Sequence, residues 1–347
     1  MHPRRPFHHR RRRGIAVQRA TLIHNEMPSP EGVSEWITLG VEYTDQILSL
    51  LELCEAHDKA PYRSSREDVL DLFATEIPHA SHGALNSAGE LVAFGMVRVL
   101  NDSGIADARC SGAVNPQWRD MRIGSTIVEW QLEAGRALLA HIDAPAGKRI
   151  SRFCEGTATD EIDLLERVGF TAESGFTQMR RDLNAPITTP DMSQHLRIEP
   201  WGAEWSEMIR EASEEPEAQT EDGRKLSEDD WERMHTNLVP EWSAVVIDRS
   251  TDRARLAGYI ISARWEADWD ALGWSEGYIN ALGILGPWRK QRVGQALATY
   301  AMRRMRKDGM EFAGIDIGSD DGDGVADLCE TLGFEPTHTT TFYTIEI

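Results

Sequence analysis

The sequence predicts an α/β protein made of two tandem copies of one domain, and three observations carry that prediction. At 347 residues the chain is too long for one ordinary core, since domains run ~100–200 residues. A seven-residue pattern occurs twice, as Trp118-Arg119-Asp120-Met121-Arg122-Ile123-Gly124 and as Trp288-Arg289-Lys290-Gln291-Arg292-Val293-Gly294. Around each copy the hydrophobic period changes from two before the glycine to about 3.6 after it, which is the signature of a strand, a turn and a helix.

The composition sets the class. A hydrophobic fraction of 41% with 27% charged residues is that of a globular chain, and no apolar run approaches the ~18 residues of a membrane span, so no membrane role is expected. The formal net charge of −20 repels a phosphate backbone, which argues against nucleic acid and leaves cationic amines or polar small molecules as better-matched partners. Cys54, Cys110, Cys154 and Cys329 form no CxxC pair, a usage that fits a reducing cytoplasm better than a disulfide framework or a metal site.

Residues 1–19 begin "MHPRRPFHHRRRRG", basic and lacking the apolar stretch of a secretory signal. They are expected to be a disordered basic tail, with a nucleic-acid or anionic-surface arm, or metal ligation by His8 and His9, as the competing readings.

The first repeat is expected over 20–183. "GELVAFGMVRVL" (89–100) and "ARCSGAV" (108–114) read as strands leading into the Trp118 turn. Ile127, Trp130, Ala134 and Leu138 then share one helical face. Pro186 and Pro190 among small polar residues mark 184–195 as a linker. The second repeat, 196–347, has the same order: "RLAGYIISARW" (255–265), "GYINALGIL" (277–285), the Trp288 turn, and a helix with Leu297, Tyr300, Ala301 and Met305 on one face. A later pair, "LLERVGF" (164–170) and "LCETLGF" (328–334), keeps the order and makes internal duplication the economical explanation.

A turn from strand into helix leaves backbone N–H groups without intrahelical partners at the positive end of the helix dipole, a place suited to phosphate. Gly124 and Gly294 allow close approach, and Arg119, Arg122, Arg289 and Arg292 add charge-assisted bonds. The competing reading is a surface turn with solvated arginines. Neither copy has the Gly-Lys-Ser/Thr of a P-loop or the three glycines of a dinucleotide fingerprint, so ATP, GTP and NAD fit poorly and another pyrophosphate carrier is needed.

These turns resemble the acetyl-CoA loop of the GNAT acetyltransferase superfamily, Arg/Gln-x-x-Gly-x-Gly/Ala, with the middle glycine replaced by Arg292 and by Arg122. A frame starting at Gln291 and running to Gly294 and Ala296 is the alternative. "LCETLGF" and "LLERVGF" are similar to the family's second landmark, Leu-Tyr-Glu-x-Leu-Gly-Phe. The resemblance covers both halves. It implies two tandem GNAT domains, each a mixed, mostly antiparallel twisted sheet flanked by helices, with acetyl-CoA as cofactor.

Carried over residue by residue, the resemblance puts Leu282, Gly283 and Ile284 beside the pantetheine arm. Arg289, Lys290, Gln291, Arg292, Val293, Gly294 and Gln295 then surround the pyrophosphate. The matching positions of the first half are Gly112, Ala113 and Val114, then Arg119, Asp120, Met121, Arg122, Ile123, Gly124 and Ser125. Loss of the middle glycine is expected to restrict the turn.

Acetyl transfer to an amine needs a base for the nucleophile and an acid for the departing thiolate. The family's acid tyrosine corresponds to Cys329 here and to Leu165 in the first half, which cannot donate a proton. Cys329 is either that acid or a small buried hydrophobe. The base of one tandem member of the family, a glutamate on the fourth strand, corresponds to Tyr278, and Glu276 shares its strand face at period two. Either could serve as base, or both be structural.

"SDDGDGVADLCE" (319–330) approaches a calcium-loop pattern, but its first ligand is Ser319 and it follows a strand, so no metal is expected. Trp201, Trp205, Trp265, Trp269 and Trp274 either frame an acceptor pocket or pack in the core. The acidic "EASEEPEAQTEDG" (211–223) either steers a cationic amine or is a solvated charge run.

The expectation is a cytoplasmic N-acetyltransferase, monomer or homodimer. It would move an acetyl group from acetyl-CoA to a primary amine of a small molecule or peptide, with the second half active and the first degenerate. The alternatives are a non-catalytic CoA-binding module and an interaction protein on a degenerate fold.

Overall fold

The computed structural model describes residues 28–102, 104–214, 234–319 and 323–347. The basic tail, most of the acidic stretch after Glu214 and Asp320–Gly322 of the calcium-like loop lie outside them. The described chain forms two compact units. The N-terminal unit holds the described residues up to Glu173 together with Thr340–Ile347, and the C-terminal unit holds Ser174–Thr339.

The N-terminal unit runs β1 (Glu35–Ile37), α1 (Thr44–Asp58), α2 (Arg66–Asp71), β2 (His79–Leu85), β3 (Leu91–Asp102), β4 (Ile105–Val114), α3 (Ile123–Ala140), β5 (Lys148–Glu155) and α4 (Thr159–Arg167). Ser65 opens α2 with a capping box: its hydroxyl accepts from the Asp68 N–H, and Asp68 Oδ2 accepts from the Ser65 N–H at 2.8 Å. Strands β1 to β5 pair in sequence order, antiparallel throughout except for the parallel pair β4 and β5. On the face covered by α3, Val128, Leu132 and Leu139 pack against Ala108 and Ile150.

The C-terminal unit keeps this strand order after β6 (Thr171–Asp182). It contains β7 (Leu196–Pro200), α5 (Ala203–Glu214), β8 (Ala244–Asp248), β9 (Arg255–Arg264), α6 (Glu266–Leu272), β10 (Glu276–Ile284), α7 (Val293–Lys307), β11 (Phe312–Gly318) and α8 (Asp323–Thr331), with α6 a helix added between β9 and β10. Strands β7 to β11 again pair in order, with β10 and β11 the one parallel pair. Leu297, Ala301 and Met305 are completely buried on the inner face of α7, as the 3.6 period requires. Burial of the Leu297 and Met305 side chains contributes about 1.5–3 kcal/mol each.

The expected domain boundary, 20–183 followed by a 184–195 linker and 196–347, does not match the units. Strand β6, written in the first half, pairs with β11 from Phe312↔Asp182 to Gly318↔Phe176. Strand β12 (Glu335–Glu346), written in the second half, pairs with β5 from Thr340↔Glu155 to Glu346↔Arg149. Both strands follow the same Gly-Phe landmark, so nothing local tells either which sheet edge it will complete. Nor is the linker a free tether, because Ile187 and Met192 pack on the core of the C-terminal unit.

Candidate active site

The site is built where a parallel pair parts. Strand β10 is in register with β11 only from Glu276↔Phe312 to Ile279↔Ile315, yet continues to Ile284. A bulge between Ile279 and Ala281 bends it away at that point. Beyond the bulge the Leu285 N–H donates to the Ala257 carbonyl at 3.1 Å, so Leu285 faces β9. Edge polarity alternates along a strand, so the N–H and C=O groups of Leu282 and Ile284 face the gap on the β11 side.

The N-terminal unit has the same parting: β4 pairs with β5 only from Ala106↔Lys148 to Arg109↔Ser151 and runs on to Val114. Its register with β3 is unbroken from Ala93↔Val114 to Asp102↔Ile105. There the edge is occupied. The Val114 carbonyl accepts from Arg119 Nε at 3.3 Å and from the Cys54 thiol at 3.4 Å. The Arg119 guanidinium is itself clamped to both oxygens of Asp58, at 2.6 Å each, and those bonds hold the Asp58 carboxyl below its ordinary value. Arg119 is therefore committed to an internal carboxylate, contrary to its expected use toward a diphosphate.

Both strands lead into one turn, built twice. A 3-10 turn (Pro116–Trp118 or Gly286–Trp288) is followed by two left-handed residues, Asp120 and Arg122 at φ 65° in the first copy, Lys290 at 64° and Arg292 at 60° in the second. Arg122 and Arg292 stand as the N-caps of α3 and α7, and neither helix has a side-chain cap. The first intrahelical bonds run from Thr126 N–H to Arg122 and from Ala296 N–H to Arg292, both 3.0 Å. The amides of 122–125 and 292–295 thus precede the ladder at the positive end of each helix.

The left-handed position falls where the frame beginning at Arg119 and Arg289 has its middle glycine. In the alternative frame that role passes to Gly294, which lies inside α7. The turn forms without glycine, at a cost of ~1–2 kcal/mol per left-handed arginine. Gly294 serves a different need: a Cβ there would come 2.6 Å from Ile284 Cδ1 and 3.0 Å from Leu328 Cδ2. At Gly124 the nearest atoms would be 3.9 and 4.0 Å away. Val293 and Ile123 anchor the helix starts in the core, whereas Lys290, Gln291 and Arg292, like Asp120, Met121 and Arg122, are exposed.

One residue that holds the turn in place was missed in the sequence. Asp248, at the end of β8, accepts the Trp288 indole N–H at 3.0 Å, Arg255 Nη2 at 3.2 Å and the Ser250 N–H at 2.8 Å. The Arg255 guanidinium also lies 4.8 Å from the Trp288 ring centre. Burial raises the Asp248 carboxyl, but the bonds from Ser250, Trp288 and Arg255 outweigh it and bring the pKa to about 2. Forty positions separate Asp248 from Trp288, and no local pattern joins them.

The expected catalytic residues do not converge. Glu276 and Tyr278 share a face of β10 and are 3% and 1% exposed. Both crowd Gly314 of β11, where a Cβ would lie 2.7 Å from Glu276 Oε1 and from Tyr278 Cδ2. Between them, Gly277 faces the other way, toward Met305 of α7. Cys329 belongs to that α7 side, packed in the main core with Phe334 and Leu297 at 2% exposure. It lies across the sheet from Glu276 and Tyr278, in the same buried role as Leu165 in the first copy.

The tryptophans divide as well. Trp265 packs on Tyr278, and Trp274 meets Phe312 edge to face beneath the Arg180 guanidinium, 4.2 Å from its ring centre. Trp201 and Trp205 pack on the core. Among the described residues no group of three or more His, Cys, Asp or Glu side chains is placed to hold a metal ion.

In each unit, a mostly antiparallel run of strands with a parting parallel pair and a helix N-terminus at the opening gives this chain the fold of the GNAT acetyltransferases, present twice. It is similar over 90% of its length to a GCN5-related N-acetyltransferase from Sphaerobacter thermophilus (19% identity, 95% of that chain, TM-score 0.69). It is likewise similar to a tandem GNAT protein from the clavulanic acid biosynthesis pathway (15% identity, 90% of this chain and 98% of that one, TM-score 0.63). No protein-family model and no curated protein matches the sequence.

Proposed function

We propose that the chain is an acetyl-CoA-dependent N-acetyltransferase for a primary amine of a small molecule or peptide, with the C-terminal unit as its donor site. The observation that carries this reading is the continuity from the open β10 edge at Leu282 and Ile284 into the uncapped start of α7. An edge of that kind pairs with an extended amide-bearing arm, and the amides of 292–295 face a diphosphate. Acetyl-CoA would supply an activated acyl thioester. The neutral amine attacks its carbonyl carbon, the C–N bond forms as the C–S bond breaks, and the thiolate leaves.

Glu276 and Tyr278 are the candidates to take the amine proton, from the face of β10 away from α7. Cys329 is on the other face, which leaves protonation of the thiolate to solvent or to another group. The Arg119–Asp58 clamp supports a single donor site per chain. A net charge of −20 favours a cationic acceptor, and four cysteines outside any disulfide suit a reducing cytoplasm. Among the described residues no helix is long and apolar enough to cross a membrane.

A second reading, a CoA-binding module without turnover, is favoured by the deep burial of Glu276, Tyr278 and Cys329. Release of free thiol from acetyl-CoA across a panel of primary amines separates the two. Amine-dependent release supports the transferase, whereas acetyl-CoA binding with no release supports the module.

A further inference from the structure

The bulge of β10 carries a polar side chain, Asn280, that belongs neither to the phosphate turn nor to the expected base and acid. Register with β9 stops at Ile279↔Ser262 and resumes at Ala281↔Ile261, so Asn280 is the extra residue with no partner across that ladder. It is also the first residue past Ile279↔Ile315, the last pair that β10 makes with β11.

The Asn280 amide is held in one orientation. Its Nδ2 donates to the carbonyls of Met234 and Thr236, both at 3.1 Å. Those residues precede Leu238, which bridges Ala263 of β9, and Val239, whose N–H donates to Ser262 at 2.8 Å. Asn280 thus ties β10 to a segment that otherwise hangs on β9. Exchanging Nδ2 and Oδ1 would set an acceptor against two acceptors, so the oxygen stays where it is. Oδ1 is buried and has no hydrogen-bond partner. Buried amide oxygens are nearly always matched to a donor, and here the chain supplies none.

An acyl arm that enters the gap beside Ile284 and runs past Leu282 meets the point where β10 and β11 rejoin, at Ile279↔Ile315. Its thioester therefore stops at Asn280, with Tyr278 and Glu276 next along the same strand. Resting on that transferase reading, we propose that Asn280 Oδ1 receives an N–H of the attacking amine and makes the enzyme select primary over secondary amines.

A neutral primary amine points its lone pair at the acyl carbon and has two N–H bonds to place. One proton passes to the base as the C–N bond forms and the C–S bond breaks, the thiolate leaving with the electron pair. The other N–H donates to Oδ1, which fixes the nitrogen for attack. The nitrogen becomes cationic on the way to the transition state, so this bond strengthens there and raises the rate as well as affinity. A secondary amine has one N–H, which the base must take, and Oδ1 is then left buried without a donor.

The test is amine-dependent release of thiol from acetyl-CoA by the full chain, with butylamine, benzylamine and tyramine each read beside its N-methyl derivative. In the wild type, kcat/KM is expected to be at least about tenfold higher for the primary amine, as for a hydrogen bond to a group gaining charge. Asn280→Leu keeps the branched shape without the oxygen and should bring that ratio toward one. Asn280→Asp keeps an oxygen acceptor while losing the donors to Met234 and Thr236, so it should retain the preference at reduced stability. If Asn280→Leu does not fold, Asn280→Ala is read in its place with the same expectation.

A side chain that only braces residues 234–236 would lower both amines alike when changed. An unchanged ratio in Asn280→Leu, or equal use of both amines by the wild type, would overturn the role of Asn280 and leave the transferase reading standing. No release with any amine would defeat the transferase reading and the Asn280 assignment with it.

Discussion

Arg292→Gly separates what the turn costs from what it does. Arg292 sits at φ 60°, a conformation that costs an L-residue ~1–2 kcal/mol and glycine nothing. Glycine brings its own penalty of about 0.5–1 kcal/mol through the greater freedom of the unfolded chain. The difference is a net gain of up to about 1.5 kcal/mol, or up to roughly 6 °C in melting temperature for a unit of this size. Donor binding should move the opposite way, because the lost guanidinium is worth at least tenfold in affinity if it touches phosphate. Thermal melting and calorimetry on the same preparation read both. Arg122→Gly, at φ 65° in the N-terminal unit, should show the stability gain with no change in donor affinity. A loss of stability in both variants would refute the strain reasoning, and unchanged affinity in Arg292→Gly would remove Arg292 from the phosphate site.

The two motif glycines should also differ. Gly294→Ala meets Ile284 and Leu328 and is expected to cost about 1–2 kcal/mol, whereas Gly124→Ala meets only ordinary contacts and should be neutral or mildly stabilising, both by thermal melting. Asp248→Asn should cost about 1.5–3 kcal/mol at neutral pH and raise the KM for acetyl-CoA more than it lowers kcat, because the turn, not the reacting atoms, loses its brace. The Asp248 pKa falls on folding from its ordinary 3.8 to about 2, so its stabilisation is complete above about pH 4 and disappears as pH drops toward 2. The gap between wild type and Asp248→Asn in acid titration should close over that window. Cys329→Ala should keep turnover within about twofold, as a packing residue does, while Glu276→Gln should lower it tenfold or more if Glu276 is the base. A Cys329→Ala collapse in kcat at unchanged stability would restore the acid role.

The legible parts of this molecule are those whose cause is local. The Trp-Arg-x-x-Arg-x-Gly pattern marks a strand, a turn and a helix because each step follows from neighbouring residues, and the left-handed φ at Arg122 and Arg292 falls at the one position where the pattern departs from glycine. The inner faces of α3 and α7 follow from the 3.6 period. What the sequence hides is set by pairing at a distance. Strands β6 and β12 read alike, and only the open sheet edges decide where each one goes. Asp58 meets Arg119 across 61 positions, and that contact distinguishes an occupied edge from an open one. Cys329 falls at the family's acid position and Glu276 shares a strand face with Tyr278 at its base position, but the alternation of β10 puts Glu276 and Cys329 on opposite sides of a sheet.

A structure determined with acetyl-CoA present tests the donor assignment most directly. One molecule per chain is expected, its arm beside Leu282 and Ile284 and its diphosphate on the amides of 292–295, with the Arg119–Asp58 clamp intact. Acetyl-CoA bound at 119–125 with the β10 edge empty, or at neither turn, would contradict it.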